Sequence, residues 1–573
     1  MITVTESATR LYLEGDYLEI NSIYEHFKFR PPDYWRSPAY ALWKRTRDTQ
    51  NPRGWDGYLS RVRTLNGRTY MMRGHRDDLV DFLDESGYQV KYKLLESPFK
   101  GLAIDDVPDN IITADFKLDH NQRECIAGML QRAIGTVRVT VSGGKTAIFF
   151  SAFAMVKGIF PQARALYITP TERLVNQVFK EGRKFLPDMD ITQFGGGKRD
   201  WSGKDIVVAT AASVSSNLAE LKAQKWLSSF MVLLVDEVHH AAAPSWSAII
   251  SSTPAFFRFG ASDTVKDERK EDIVKRWEIQ GLIGPSRAEI GVAPLIDVGR
   301  VAKPYLFLID IPEWEGRYDD LSHQAEIGTP AWTLVNDQWL RGIYRGPGME
   351  RDDETGEIKY DRFKRPIQAP GFQTIEIDGE VAEYESRWCL LRRTYDVAII
   401  RNKERNAMIV KWVKHFAADG DPTLVVATRT LHVHILKTLI DETGLECETL
   451  TSADDTKERD RVFTWLMAKP GRVLISPLVK EGVNLPELRA GVIADVVASP
   501  DLARQIIGRF IRKKPTGDNH ARIAWFIDRS YPSARHNCLK LFEELERVRG
   551  YGYYYPCAEP TQIGPLYGEA SFD

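Results

Sequence analysis

Cysteine is scarce. The 573 residues carry five, at Cys125, Cys389, Cys447, Cys538 and Cys557, and no two form a CxxC. That spacing excludes a zinc ribbon, a thioredoxin-like pair and a disulfide framework. Reduced thiols in a cytoplasmic compartment are the expectation. No uninterrupted apolar run reaches the roughly 18 residues of a membrane span, so no membrane partner is expected. The first residues, MITVTESATRLYLEGDYLE, lack a basic segment followed by an apolar one, so no signal peptide is expected. There is no charge excess either: the formal net charge is −2. This excludes binding by bulk charge but leaves room for a local basic face. What is present is a 43% hydrophobic fraction, enough for real cores. At about 150 residues per domain the length suggests roughly four units.

Between residues 113 and 300, apolar strands alternate with helical patterns: TVRVTV then KTAIFFSAFAMVKG, ARALYITP then TERLVNQVFKEGRKF, DIVVAT, and FMVLLVDE. Strands buried on both faces and separated by helices indicate a parallel α/β sheet. The alternation returns after about residue 396 with TLVVAT, GRVLISP and AGVIADVV. The fold class is therefore α/β, with two tandem parallel-sheet lobes. The boundaries read as 1–112 for a small α+β N-terminal domain, 113–293 for the first lobe, 294–548 for the second, and 549–573 for a tail. Residues 312–392 fit neither lobe and read as an insert, a separation wedge or a partner surface. Between Lys28 and Arg76 stand twelve cations and three anions, interleaved with Tyr34, Trp35, Trp43, Trp55 and Tyr58. Such a block, with Arg53 and Trp55 at its centre, suits a nucleic-acid clamp. The alternative is that the tryptophans form the block's own core.

Three constellations carry chemistry. VTVSGGKT (139–146) lies between a strand and a helix. Ser142, Gly143, Gly144, Lys145 and Thr146 supply the small residues, cation and hydroxyl of a phosphate cradle, with Thr146 toward Mg²⁺. Val139 stands where the usual pattern has glycine, and a plain surface turn is the alternative. DEVHH (236–240) ends an apolar strand, where α/β sheets collect ligands. Asp236 suits Mg²⁺, Glu237 suits activation of a water, and His239 and His240 suit a relay; a zinc pair is the alternative. QIIGRFIR (505–512) brings Gln505, Arg509 and Arg512. On a helix the two arginines share a face, either as fingers toward a γ-phosphate or as a solvated basic face.

These elements, in this order, resemble those of the superfamily 2 helicases. YITPTERLVNQ, DIVVATAASV, FGASDT, TLVVATRTLHVHIL and LISPLVKEGVNLP are similar to motifs Ia, Ib, III, IV and V. LDHNQRECI is similar to the adenine-reading segment. Within the superfamily the chain resembles the phage UvsW-like and XPB-like groups, through DEVHH, the crossing segment 281–311 and the N-terminal NPRGWDGYLSRV. The resemblance implies two RecA-like lobes, ATP with Mg²⁺ as cofactors, and a DNA helicase or translocase acting on branched recombination or replication intermediates. It places Gln122 at the base, Ser262 and Thr264 in coupling with His239, and Thr210, Glu481, Gly482 and Asn484 on the nucleic acid. It also implies a monomer in a bacterial cytosol, as a bacterial or phage protein. Asp263 and Asn484 depart from the usual residues of motifs III and V. An RNA helicase, a restriction-system motor subunit and a nucleic-acid-binding scaffold with a degenerate ATPase stay open as alternatives.

Overall fold

The computed structural model describes residues 1–31, 34–47, 54–113, 116–140, 143–195, 203–263, 273–311, 372–377, 380–385, 395, 399–451, 454–477, 488–496, 500–515, 518–528 and 553–556. Arg53, Ser142, Thr264, Glu481, Gly482 and Asn484 lie outside them, as does most of the insert. The chain forms two compact units, Met1–Arg300 and Val301–Asp573.

The first unit opens with a mixed sheet. Its strands are β1 (Ile2–Glu6), β2 (Arg10–Glu14), β5 (Val62–Leu65), β6 (Arg68–Met72) and β7 (Val90–Lys93), ordered β5-β6-β2-β1-β7. A two-residue ladder, β3 (Lys28–Phe29) with β4 (Leu59–Ser60), stands apart from it. Burial alternates along β1, so Ile2 and Val4 point into a core shared with Leu11, Leu13, Leu79 and Leu83. Glu6 takes the third inward position. Its carboxylate is buried but fully engaged, by Arg73 Nε at 2.7 Å, Arg76 at 3.0 Å and the Leu95 N–H at 2.9 Å.

Seven parallel strands follow: β8 (Ile134–Val139), β9 (Ala165–Thr169), β10 (Ile191–Phe194), β11 (Ile206–Thr210), β12 (Val232–Asp236), β13 (Phe257–Ser262) and β14 (Ser286–Ile290). Their order is β10-β11-β9-β12-β13-β8-β14. Every residue of β9, β11, β12 and β13 is buried, because helices cover both faces. The N-terminal sheet docks here through the turn Arg73–His75, which lies on the helix Ile273–Ile283. Gly74 is required at that contact: a Cβ there would stand 1.7 Å from the Gln280 carbonyl oxygen. Arg73 reaches the Phe256 carbonyl, and Arg61 and Gln280 share Asp78.

The second unit holds another seven-stranded parallel sheet. It comprises β15 (Lys303–Ile311), β18 (Thr423–Val426), β19 (Cys447–Thr449), β20 (Val473–Ser476), β21 (Ala490–Ile493), β22 (His520–Asp528) and β23 (Tyr553–Pro556), ordered β19-β20-β18-β21-β22-β15-β23. Within the insert, β16 (Phe372–Ile377) and β17 (Glu380–Glu385) form an antiparallel hairpin. The tail contributes β23, which pairs in parallel with β15. The division between units falls at Arg300, a little beyond residue 293, because Leu295 is buried in the first unit and Arg300 is tied to Lys117 and Asp119.

Gly74→Ala is expected to undock the N-terminal sheet, at a cost of about 3 kcal/mol, because the new methyl meets backbone that cannot rotate away. Calorimetry would show a lowered first transition, and limited proteolysis would gain cleavage between the sheet and the first lobe.

Candidate active site

The cradle is built where β8 meets the helix Lys145–Ile159. Gly144, at φ +86°, caps that helix without any side-chain hydrogen bond, which leaves first-turn N–H groups for an anion. Val139 is the last residue of β8, wholly buried beneath Gly143. This is why an apolar residue stands there rather than glycine. Gln122 has a different task from the one expected. It is fully buried, its Oε1 accepts the Asp119 N–H at 3.2 Å and its Nε2 donates to the Gly143 carbonyl at 3.0 Å. One donor and one acceptor of the amide are thus committed to the protein, so Gln122 braces the cradle.

Asp236 and Glu237 sit at the carboxyl end of β12. The Lys145 ammonium lies 2.7 Å from Glu237 Oε1. Ser262 donates its hydroxyl to Glu237 Oε2 at 3.1 Å, and His239 Nδ1 lies 2.9 Å from the same hydroxyl oxygen. With the serine hydroxyl donated to the carboxylate, His239 carries a proton on Nδ1. Glu237 holds this position in a left-handed backbone conformation, φ +49°, which L residues rarely adopt. Burial opposes its charge, but Lys145, His239 and Ser262 outweigh that and hold the carboxyl below its usual range. Asp236 is pushed up to about 6 by burial, with Lys145 opposing and Glu237 reinforcing the rise. Burial likewise disfavours the Lys145 charge, but Glu237, Asp236 and Asp263 together raise its pKa. The donors fit a magnesium nucleotide: an ammonium and backbone N–H groups for phosphates, and a carboxylate and the Thr146 hydroxyl as hard oxygen ligands.

His240 stacks on Trp246 at 5.5 Å and so has a structural contact of its own. Thr210 also departs from expectation. It is buried, accepts the Ser213 N–H at 3.0 Å and donates to Ser213 Oγ at 2.8 Å, so it caps the helix Ala211–Ser216 instead of offering a free hydroxyl to a strand. Trp55 is half-buried, with its indole N–H donated to the Tyr58 carbonyl. Of the twelve N-terminal cations, Arg61, Arg63, Arg73 and Arg76 are paired with Asp78, Glu278 and Glu6. Arg30, Lys44, Arg45, Arg47 and Arg68 remain exposed, beside Trp35 at 52% exposure.

In the second unit Gln505 and Arg509 lie half-buried on the helix Pro500–Phe510. Arg512 does not share their helix. The helix ends at Phe510, and Arg512 forms a bridge with Val301, so the helical i, i+3 spacing does not apply. Sequence reasoning overlooked Lys514, which is 5% exposed. Its ammonium donates to the Phe510 carbonyl at 2.6 Å and to the Leu488 carbonyl. It thereby ties the end of the arginine-bearing helix to the entry of β21. Burial, with Arg489 and Arg512 nearby, depresses it to about 7.

A phosphate cradle and an adjacent Asp–Glu pair on one parallel sheet, followed by a second such sheet, define a P-loop ATPase with two RecA-like lobes. Residues 115–267 match the family model "Type III restriction enzyme, res subunit", and residues 404–514 match "Helicase conserved C-terminal domain". The DNA 3'-5' translocase XPB2 of Sulfurisphaera tokodaii is 22% identical, over 72% of this chain and 82% of its own length. The putative ATP-dependent helicase IRC3 of Saccharomyces cerevisiae is 22% identical over 69% of this chain, which spans 49% of that relative. An alignment with the crystal structure of T4 UvsW covers 97% of this chain and 99% of that one, at 15% identity and TM-score 0.39. Together these matches support an ATP-hydrolysing superfamily 2 helicase similar to XPB2.

Lys514 generates a pH dependence. Its proton binds more tightly in the unfolded chain than in the folded one, so stability rises as pH goes from about 7 toward the ordinary lysine value of 10.5. The slope reaches up to about 1.4 kcal/mol per pH unit. Urea midpoints between pH 7 and 9.5 should rise relative to Lys514→Met, in which this contribution is absent.

Proposed function

We propose that the protein is an ATP-dependent DNA translocase that remodels or unwinds branched recombination or replication intermediates. The observation that carries the motor reading is the chain of contacts Lys145–Glu237–Ser262–His239. It links the cradle's cation, the carboxylate suited to activate water and the serine of motif III in one hydrogen-bonded unit. Lys145 now neutralises Glu237. When phosphates enter the cradle they compete for the ammonium and free Glu237 Oε1 to orient the attacking water. Ser262 holds the other carboxylate oxygen throughout, so a change at the phosphates is felt along the strand end of β13. Thr146 and Asp236 would hold the magnesium ion, which when bound neutralises charge on the phosphates. Arg509 and Arg512 carry the cations we assign to the γ-phosphate. DNA as the track is supported by the likeness to XPB2, described as a DNA translocase. It is supported further by the exposed cations and Trp35 of the N-terminal domain.

A restriction-system motor is the second reading, favoured by the name of the family model that the first lobe matches. It requires a nuclease partner and predicts cleavage only in that partner's presence.

The test is ATP hydrolysis measured without polymer and with single-stranded DNA, forked DNA or RNA. Forked DNA is expected to stimulate turnover most, with stimulation falling as salt rises. Lys145→Ala should be inactive. Glu237→Gln should lose about 10²- to 10⁴-fold in kcat while still binding ATP. Stimulation by RNA alone would transfer the reading to an RNA helicase, and indifference to every polymer would end the motor reading.

A further inference from the structure

Tyr167 stands in the middle of β9 and is completely buried. Its ring meets Phe149 edge-on at 5.6 Å and Phe150 at a tilt at 5.9 Å, both on the helix that follows the cradle. These contacts need only a phenyl ring. The hydroxyl needs a separate account. β9 pairs in parallel with β12, Tyr167 opposite Leu234, so Asp236 two residues on lies on the same face of the sheet. Thr146 begins the helix whose next turn carries Phe149 and Phe150. The phenol therefore runs along the sheet toward the carboxyl ends of the strands. Its oxygen lies in the field of Asp236, Glu237 and Glu181 and beside the Thr146 hydroxyl. That oxygen is sealed from solvent, and its polar neighbours are the Thr146 hydroxyl and the Asp236 carboxylate, both short of ideal hydrogen-bonding geometry. Burying a hydroxyl is unfavourable unless polar neighbours satisfy it. This one is aimed at the two residues suited to hold the nucleotide's cation.

We propose that Tyr167 is a positioning residue of the nucleotide site, whose hydroxyl, donated toward the Asp236 carboxylate, sets the direction in which Asp236 and Thr146 would hold the nucleotide's magnesium ion. The inference rests on the nucleotide reading of the site. Asp236 already accepts the Glu237 N–H on Oδ1 at 3.0 Å. A second donor from the neighbouring strand would fix the plane of the carboxylate, and so the direction of its remaining lone pairs. Tyr167 touches no phosphate and is not a catalytic residue.

Tyr167→Phe separates this role from packing, because the ring contacts survive. In metal-free protein its Tm should stay close to that of the wild type, since the ring contacts are unchanged. Mn²⁺ affinity in the presence of ADP, read by electron paramagnetic resonance, should weaken about five- to tenfold, the loss of roughly one hydrogen bond. ADP affinity in EDTA should not change. In turnover the Mg²⁺ requirement should rise, with kcat restored at excess Mg²⁺. Mn²⁺ affinity within twofold of wild type would overturn the proposal, and so would an equal loss of ADP affinity in EDTA, which marks a packing defect. If the wild type itself binds no Mn²⁺–ADP, the nucleotide reading falls and takes this inference with it.

Discussion

The ion pair between Lys145 and Glu237 is the constraint around which the first lobe is organised. Two apolar strands and a helix deliver these groups from 92 residues apart to 2.7 Å. An ammonium buried at the start of a helix, among N–H groups, is unfavourable unless an anion faces it. Glu237 supplies that anion while the phosphates are absent. The same requirement explains its left-handed backbone, which turns the side chain back toward the cradle instead of letting it follow β12 outward. Ser262 and His239 then fix the second carboxylate oxygen. The site is thus preorganised around a negative charge that belongs to the protein and that a nucleotide can displace.

The basic N-terminal block shows how composition and placement diverge. Its surplus of cations suggested a continuous binding face. Part of that surplus is structural: Arg73 and Arg76 neutralise the buried Glu6, and Arg61 packs over Trp277 while pairing with Asp78. These contacts fasten the mixed sheet to the helix Ile273–Ile283, which follows the motif III segment in sequence. Any nucleic acid held by the remaining exposed cations would be held by a body already fixed to the catalytic lobe.

Much of the fold was legible because parallel sheets covered on both faces demand continuous apolar runs, as in LYIT, IVVA and VLLV. The edge and late strands were not. β14 has no buried residue before Ile290 because it is an edge strand, and its sequence SRAEI carries no apolar run. β22 is strongly apolar, IAWFI, but lies beyond the arginine motif, where no motif marks it. At the site, residue types gave the chemistry and pairwise geometry gave the roles. Gln122 and Thr210 read as ligand contacts, because a polar residue in a motif segment carries no mark of whether its hydrogen bonds are already spent. Their neighbours Asp119 and Ser213 were the available signal, at the capping spacings of three residues. Lys514 gave less warning, since the carbonyls that bury it come from Leu488 and Phe510, and only the first is distant in sequence.

Carboxylates at strand ends are common to both sheets, and their partners separate them. Asp528 closes β22 in a bidentate pair with Arg405 at 2.9 and 3.1 Å, both side chains sealed from water. Asp495, just past β21, receives the Thr428 N–H and faces His432, whose other ring nitrogen is bound to Asn406 at 3.0 Å. Removing either partner would strand a buried charge, so these carboxylates are saturated and serve the fold. Asp236 is also buried, but burial raises its proton affinity where that of Asp495 falls, because Lys145 is shared with Glu237 and the remaining help is the Glu237 N–H and the Tyr167 hydroxyl. A buried carboxylate left short of positive charge, beside the Thr146 and Tyr167 hydroxyls, has the chemistry that suits a divalent cation. Satisfaction of the neighbouring groups, rather than residue type or depth, distinguishes the working carboxylate from the structural ones.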